Sequence, residues 1–246
     1  MNQYDKIAKK YFGDKRTNHP QLKYVIYPSW LSACGEIKGL RVLDLGCGSG
    51  HTSRLLAEKG AIVVGVDESV EQLRLARDKE IKKSFGINYR KANAKALPLQ
   101  FAGNFDLVTP TFLLHYAKNE AELLVFIKEV YRILKKNRKM VAININPKNP
   151  IYFNTDSNAT KKWIGKPFQE GSQIEVGIRD AFKKQLCTCV VYYWSKKLYE
   201  KCFRKAGFVN VEWIDLKMTE KGKELFQNWR KLENCHSLVL LTAQKS

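Results

Sequence analysis

The sequence predicts an α/β fold, a mostly parallel sheet with helices on both faces, from three observations. Short apolar runs bounded by turn residues alternate with stretches of helical periodicity, which is the pattern of strand–helix–strand units. One apolar run, Arg41 to Leu45, feeds a turn with glycines at every second position, Gly46, Gly48 and Gly50. Such glycines let backbone N–H groups approach a nucleotide-like ligand. A second run, 61–67, ends on Asp67, where an acid can reach a ribose diol.

Bulk composition bounds the rest. At 246 residues the chain fits one α/β domain with an insertion. With 44% hydrophobic and 27% charged residues, wholesale disorder is excluded. No apolar run approaches the roughly 20 residues of a bilayer-spanning helix, and the N-terminal Met-Asn-Gln-Tyr-Asp-Lys lacks the apolar core of a signal peptide, so a cytoplasmic, membrane-free protein is expected. The 6 cysteines show neither Cys-x-x-Cys pairs nor a histidine at zinc spacing, which predicts reduced thiols and no metal. The net charge of +19 would attract polyanions. The lysines are nevertheless dispersed, and the densest cluster, Lys135 to Lys139, falls where a helix is expected to end and its dipole favours cations. A solvated basic surface is therefore preferred, with nucleic acid as the alternative partner.

Taken in order, Tyr4, Ile7, Ala8 and Tyr11 lie on one face of an amphipathic helix, and a second helix over 22–31 is expected to be interrupted by Pro28. A helix from His51 closes at Gly60, and another opens with the capping pattern Ser69-Val-Glu-Gln72. Strands follow at 87–92 and 104–109. Asn119-Glu-Ala-Glu122 caps a helix carrying Leu123, Phe126, Ile127 and Val130, and a fifth strand covers 139–146. Regular alternation stops over 147–190, which is too long for a plain connection, so this stretch is expected to form a substrate lid. A capped helix then runs from Ser195 to Gly207, followed by strands at 209–214 and 237–242.

The stretch Val-Leu-Asp-Leu-Gly-Cys-Gly-Ser-Gly at 42–50, together with Asp67, resembles the first motifs of the class I S-adenosylmethionine-dependent methyltransferase family, in its small-molecule, type 11-like branch. The resemblance implies a Rossmann-like sheet of seven strands, the last antiparallel. It covers about 40–145 well and 190–245 loosely and does not extend to the lid, so a single methyltransferase domain, 1–246, is expected with an N-terminal helical cap (1–40), a cofactor-binding core (41–146), the lid (147–190) and the remaining sheet (191–246). The resemblance also implies S-adenosylmethionine as cofactor, with Tyr11, Asp44, Gly46, Cys47, Gly48, Gly50, Asp67, Glu68, Gln72, Asn93, Ala94 and Thr109 around it. In that picture Asp44 serves the methionine amino group, Asp67 and Glu68 address the ribose hydroxyls, and Gln72 lies near the adenine. Asn93 stands where relatives often carry Asp, and its amide can both accept from and donate to adenine.

Enzymes that methylate base amines typically carry Asn/Asp-Pro-Pro-aromatic after the fourth strand, and this chain has Thr109-Pro-Thr-Phe112. The acceptor for the target nitrogen is missing, so the resemblance points to a small-molecule acceptor. Tyr4, Tyr116, Trp163, Tyr193 and Trp194 are candidates for an aromatic acceptor pocket, which would also suit a cationic methyl donor. His115 is the candidate base, because imidazole titrates near neutrality. Two alternatives stand beside this reading: an RNA-directed methyltransferase or RNA-binding protein, and an S-adenosylmethionine-binding protein without catalysis. The sequence says nothing of oligomeric state.

Overall fold

The computed structural model describes residues 19–151, 159–179, 185–233 and 237–246. Five strands form in succession: β1 (Arg41–Leu45), β2 (Ile62–Asp67), β3 (Asn88–Lys91), β4 (Phe105–Thr109) and β5 (Leu134–Ile145). Three more, β6 (Ala159–Ile164), β7 (Gln173–Arg179) and β8 (Gln185–Tyr192), make a separate antiparallel sheet. The last two are β9 (Phe208–Ile214) and β10 (Leu238–Lys245). The main sheet has seven strands in the order β3-β2-β1-β4-β5-β10-β9. Pairings among β1 to β5 are parallel, and β10 runs antiparallel to both β5 and β9, as the resemblance implied.

This order places β2 on one side of β1 and β4 on the other. Crossovers from β1 and from β4 therefore leave in opposite directions and open a crevice at the carboxyl ends of these strands. Strand alternation divides the core between the two faces. Val42, Val141, Ile143 and Leu240 join one buried cluster, whereas Leu43, Leu45, Ala142 and Leu241 join the other.

The first face is covered by α1 (Tyr27–Cys34), α2 (His51–Glu58) and α3 (Val70–Lys82), whose Trp30, Leu56 and Leu73 belong to the same cluster as Val42. On the second lie α4 (Glu120–Ile133) and α5 (Lys196–Ala206). Two short helices, α6 (Glu220–Leu225) and α7 (Trp229–Glu233), have no counterpart in the sequence reading. The expected caps form: Ser69, Asn119 and Ser195 accept the N–H of Gln72, Glu122 and Leu198, and Gly207 closes α5 in the left-handed region.

Two expectations are corrected. Pro28 does not interrupt its helix. A π turn over Leu22–Ile26, closed by the Tyr27 N–H on the Leu22 carbonyl, leads directly into α1 and absorbs the irregularity before the proline. The basic cluster does follow a helix end, since α4 closes at Ile133, but its side chains are not held by the helix terminus. β5 begins at Leu134, and within it Lys135 and Arg138 reach Asp106 at 3.0 and 3.3 Å while Lys139 Nζ donates to the Ala33 carbonyl at 2.7 Å. A carboxylate and a carbonyl, rather than a helix dipole, anchor these cations.

The described residues of the 147–190 stretch are also more regular than the sequence reading held. The β6–β8 sheet turns one face inward, where Ile174, Val176, Ile178, Cys189 and Val191 are buried in the first cluster. Among the described residues no helix is long and apolar enough to cross a membrane, and no cluster of His, Cys, Asp or Glu could hold a metal ion.

Candidate active site

Because β1 to β4 are parallel, everything that follows their last residues gathers on one edge of the sheet. Gly46, Gly48 and Gly50 all have positive φ, at 77°, 52° and 76°. Only glycine adopts these values at little cost. A Cβ on Gly50 would lie 2.1 Å from the Tyr89 Oη of β3, so the turn is also packed too closely to admit a side chain. Cys47 is buried between these glycines, and burial pushes its thiol well above the ordinary range, which makes it inert.

The two acids hold this turn from below and from the side. Asp44 is fully buried and accepts the hydroxyls of Thr52 at 2.7 Å and Ser53 at 2.6 Å, both from the first turn of α2; Thr109 Oγ1 stands 3.4 Å away. Burial raises its carboxyl to about 6 in spite of those bonds. Asp67 accepts the Gly48 N–H at 2.8 Å through Oδ2 and the Ser69 N–H at 2.8 Å through Oδ1. One carboxylate thus ties β2 to the glycine turn and to the start of α3. Glu68 beside it is exposed. Asn93 and Ala94 follow β3, and the Asn93 Oδ1 accepts the Lys95 N–H at 2.8 Å.

Several polar atoms along this edge are buried without any protein partner. They are Ser49 Oγ in the turn, both amide atoms of Gln72 at the start of α3, and Thr111 Oγ1 just past β4. Buried polar groups left unmet cost free energy, so a cluster of them at one sheet edge fits a ligand with several donors and acceptors. A nucleoside bearing an amino acid is such a ligand.

The chain from Thr109 to Tyr116 leads from this edge into a second space. Phe112 has φ of 55°, a conformation a bulky residue seldom adopts, and is held there by its N–H on the Ile143 carbonyl at 2.9 Å. Its ring lines a cavity of about 50 Å³ between the ends of β4 and β5, the start of β10 and the inner face of the β6–β8 sheet. The walls are largely apolar, from Ile145, Val176, Ile178 and Leu238; His115 and Lys161 bring nitrogen to it. His115 is 4% exposed, and its Nδ1 lies 3.0 Å from Asn144 Oδ1. Burial, with the charge of Lys161, lowers its pKa to about 4 against the Asn144 hydrogen bond, so the imidazole is neutral at pH 7.

The aromatic candidates separate. Tyr116 lines the cavity, with its Oη 3.5 Å from the Cys189 Sγ. Trp163 and Tyr193 pack instead with Phe168, ring centroids 5.2 to 5.7 Å apart, at the far end of the inserted sheet. Trp194 faces the other core cluster and donates its Nε1–H to the Ala117 carbonyl at 3.1 Å. None of these three is among the cavity's lining residues. Tyr4 and Tyr11 lie outside the described residues. The sequence reading missed Phe112, Asn144, Lys161, Ser49 and Thr111. A polar residue inside the apolar run of β5 was a usable signal for Asn144; nothing local marks Lys161.

Comparison with known proteins agrees with this geometry. A family model described as a methyltransferase domain matches residues 43–142. A demethylmenaquinone methyltransferase of Lactococcus lactis is 32% identical over 73% of this chain and 69% of its own length. A ubiquinone biosynthesis O-methyltransferase of Pseudomonas aeruginosa is 30% identical over 49% of this chain, which spans about half (51%) of that relative. Among solved structures, the PH0226 protein from Pyrococcus horikoshii superposes with a TM-score of 0.68 at 20% identity, covering 100% of both chains. An S-adenosylmethionine-dependent methyltransferase from Mesorhizobium loti gives 0.63 at 22% identity over 94% of this chain and 100% of its own. By its matching motifs, its strand order and its kinship to these enzymes, the protein belongs to the class I S-adenosylmethionine-dependent methyltransferases of the type 11 branch, with S-adenosylmethionine as its cofactor.

Proposed function

We propose that the enzyme methylates a small-molecule acceptor seated in the cavity beneath the β6–β8 sheet, by in-line displacement. One observation carries this reading: the Thr109–Tyr116 stretch joins the glycine-turn edge to a partly open, largely apolar pocket containing a neutral histidine. When bound, S-adenosylmethionine supplies a methyl group on a positively charged sulfur, transferred as the S–C bond breaks and the bond to the acceptor forms, leaving a neutral thioether. The chain's own task is placement. Gly46, Gly48 and Gly50 open the backbone to the ligand, Asp67 with Glu68 faces its ribose, and Gln72, Asn93 and Ala94 surround the base. Asp44 braces the turn from beneath. Alignment of reactants accounts for about 7–11 kcal/mol of barrier in well-placed systems, enough to carry much of such a transfer.

A small, largely apolar pocket suits a small molecule better than a polymer, and the relatives named as quinone methyltransferases favour the same class. The space is small, with about 50 Å³ open to the centre of a water molecule, so entry of a ring is expected to displace the β6–β8 sheet, which is the sense in which it acts as a lid. Incubation with methyl-labelled donor and a fractionated cell extract tests the proposal. Label is expected in low-mass products; label confined to RNA or protein would overturn it.

A further inference from the structure

Asn144 is fully buried in β5, between Ile143 and Ile145 and opposite Val239 of β10. An amide in such a setting costs free energy unless it does something there. Its Oδ1 lies 3.0 Å from His115 Nδ1. A carbonyl oxygen only accepts, so Nδ1 must carry the proton, and the lone pair of the neutral ring then resides on Nε2.

The other groups around the ring support this state. Lys161 of β6 lines the same cavity, donates Nζ–H to the Ser237 carbonyl at 3.1 Å and places positive charge near the imidazole. The Tyr116 ring stands 5.0 Å away on the same turn, with Cys189 of β8 behind its hydroxyl. No Asp or Glu lines the cavity among the described residues. Nothing anionic is therefore placed there to stabilise imidazolium in the resting site.

We propose that Asn144 is a positioning residue that holds His115 in the Nδ1–H tautomer, so that Nε2 takes the proton of a hydroxyl acceptor bound in the cavity. The inference rests on reading that cavity as the acceptor site. In the step itself the acceptor O–H bond breaks, the proton passes to Nε2, and the electron pair stays on oxygen as the nucleophile. Lys161 stabilises the developing oxyanion. A base and a cation placed beside one pocket suit an acceptor that reacts through an ionised hydroxyl, so the acceptor class inferred is a hydroxyl-bearing molecule on an apolar frame.

Nitrogen-15 NMR of the histidine rings in the full-length protein tests this without a substrate, with His115→Gln identifying the signal. At pH 7 the wild type should show a protonated Nδ1 and a bare Nε2. Asn144→Asp keeps the acceptor and adds charge, so the tautomer should persist while its titration midpoint rises by more than one pH unit. Asn144→Leu removes the acceptor and should shift the ring toward Nε2–H. A wild-type ring in the Nε2–H form overturns the proposal, as does a Leu variant with an unchanged spectrum. If the Leu variant does not fold, the Asp variant decides, and an unmoved midpoint counts against the idea. Calorimetry with S-adenosylmethionine separates the two levels. Binding with the wrong tautomer sinks Asn144's role alone, whereas no binding sinks the proposed function.

Discussion

The glycine-turn edge and the cavity beneath the inserted sheet each bury one titratable side chain, Asp44 and His115, but they build the surroundings of those groups differently. Asp44 takes its two short hydrogen bonds from Thr52 and Ser53, eight and nine residues along the same strand–turn–helix unit, and a longer one from Thr109 of β4. His115 depends on Asn144, 29 residues away on another strand, and on Lys161 from an insertion. The anchor of the glycine turn is therefore set mostly within one strand–turn–helix unit, with Asp67, Asn93 and Thr109 reaching the same edge from the neighbouring parallel strands, whereas the surroundings of His115 exist only in the assembled fold. This contrast explains why one fold can keep its methyl donor while its acceptor varies.

The sharpest way to break that contrast is at Gly50. In Gly50→Ala a new Cβ meets the Tyr89 ring and must also adopt φ of 76°. Strain and clash of a few kcal/mol should weaken S-adenosylmethionine binding by about 100-fold, measured by calorimetry. Adding Tyr89→Leu relieves the clash but not the backbone strain, so recovery should be partial. Wild-type affinity in Gly50→Ala alone would show that the turn is not the local determinant.

Asp67→Asn is the next largest. The carboxylate accepts two backbone N–H groups, from Gly48 and Ser69, and hydrogen bonds to a charged acceptor are worth about 1.5–3 kcal/mol. An affinity loss of roughly 10- to 100-fold is expected. An unchanged titration curve would remove Asp67 from the site.

How much was legible follows the same division. The glycine turn, Asp67, the helix caps at Ser69, Asn119 and Ser195 and the succession of core strands along the chain were readable because each is set by neighbours in sequence. The Gly-x-Gly-x-Gly run marked a turn that side chains would obstruct, and all three glycines have positive φ. The inserted sheet was read only as a lid. In β7 the alternation Ile174, Val176, Ile178 was present to be found, but β6, Ala-Thr-Lys-Lys-Trp-Ile, offers no period-two pattern because only part of its inner face is apolar. Aromatic residues were grouped as pocket candidates by type, whereas the assembled fold separates them. Tyr193 and Trp194 follow the end of β8 and join different buried clusters, and neither lines the cavity.

The two buried groups should also leave opposite marks on stability. Asp44 has a folded pKa raised to about 6 from 3.8, so the unfolded chain releases that proton first and stability falls as pH rises from about 4 to 6. His115 has a folded pKa lowered to about 4 from 6.5, so its contribution is present above 6.5 and lost as pH falls toward 4. At about 1.36 kcal/mol per pKa unit each effect is of order 1–3 kcal/mol. Urea denaturation of Asp44→Asn should therefore show a gain at pH 7 and a steeper loss on acidification, since only the histidine effect remains. His115→Gln should show the reverse, greater stability at pH 4 relative to pH 7 than the wild type. Parallel pH profiles for both variants and the wild type would show that neither group titrates as its burial requires.

The smallest effect sharpens the contrast at its boundary, between Tyr116 in the cavity and Trp194 in the core. Trp194→Phe keeps most of the buried ring but deletes the donor to the Ala117 carbonyl, leaving that acceptor unmet. A stability loss of about 1 kcal/mol is expected from such a hydrogen bond. Because Ala117 ends the turn that carries His115 and Tyr116, the bond clamps one end of the cavity wall from outside it. Tyr116→Phe removes only a hydroxyl facing Cys189 and should cost little stability, while changing which acceptors are turned over by altering the cavity surface. The two substitutions should therefore separate cleanly, one moving the melting temperature and the other the product distribution. If Trp194→Phe changed acceptor choice with no loss of stability, the core cluster and the cavity would have to be treated as one wall, and the separation between them would fail.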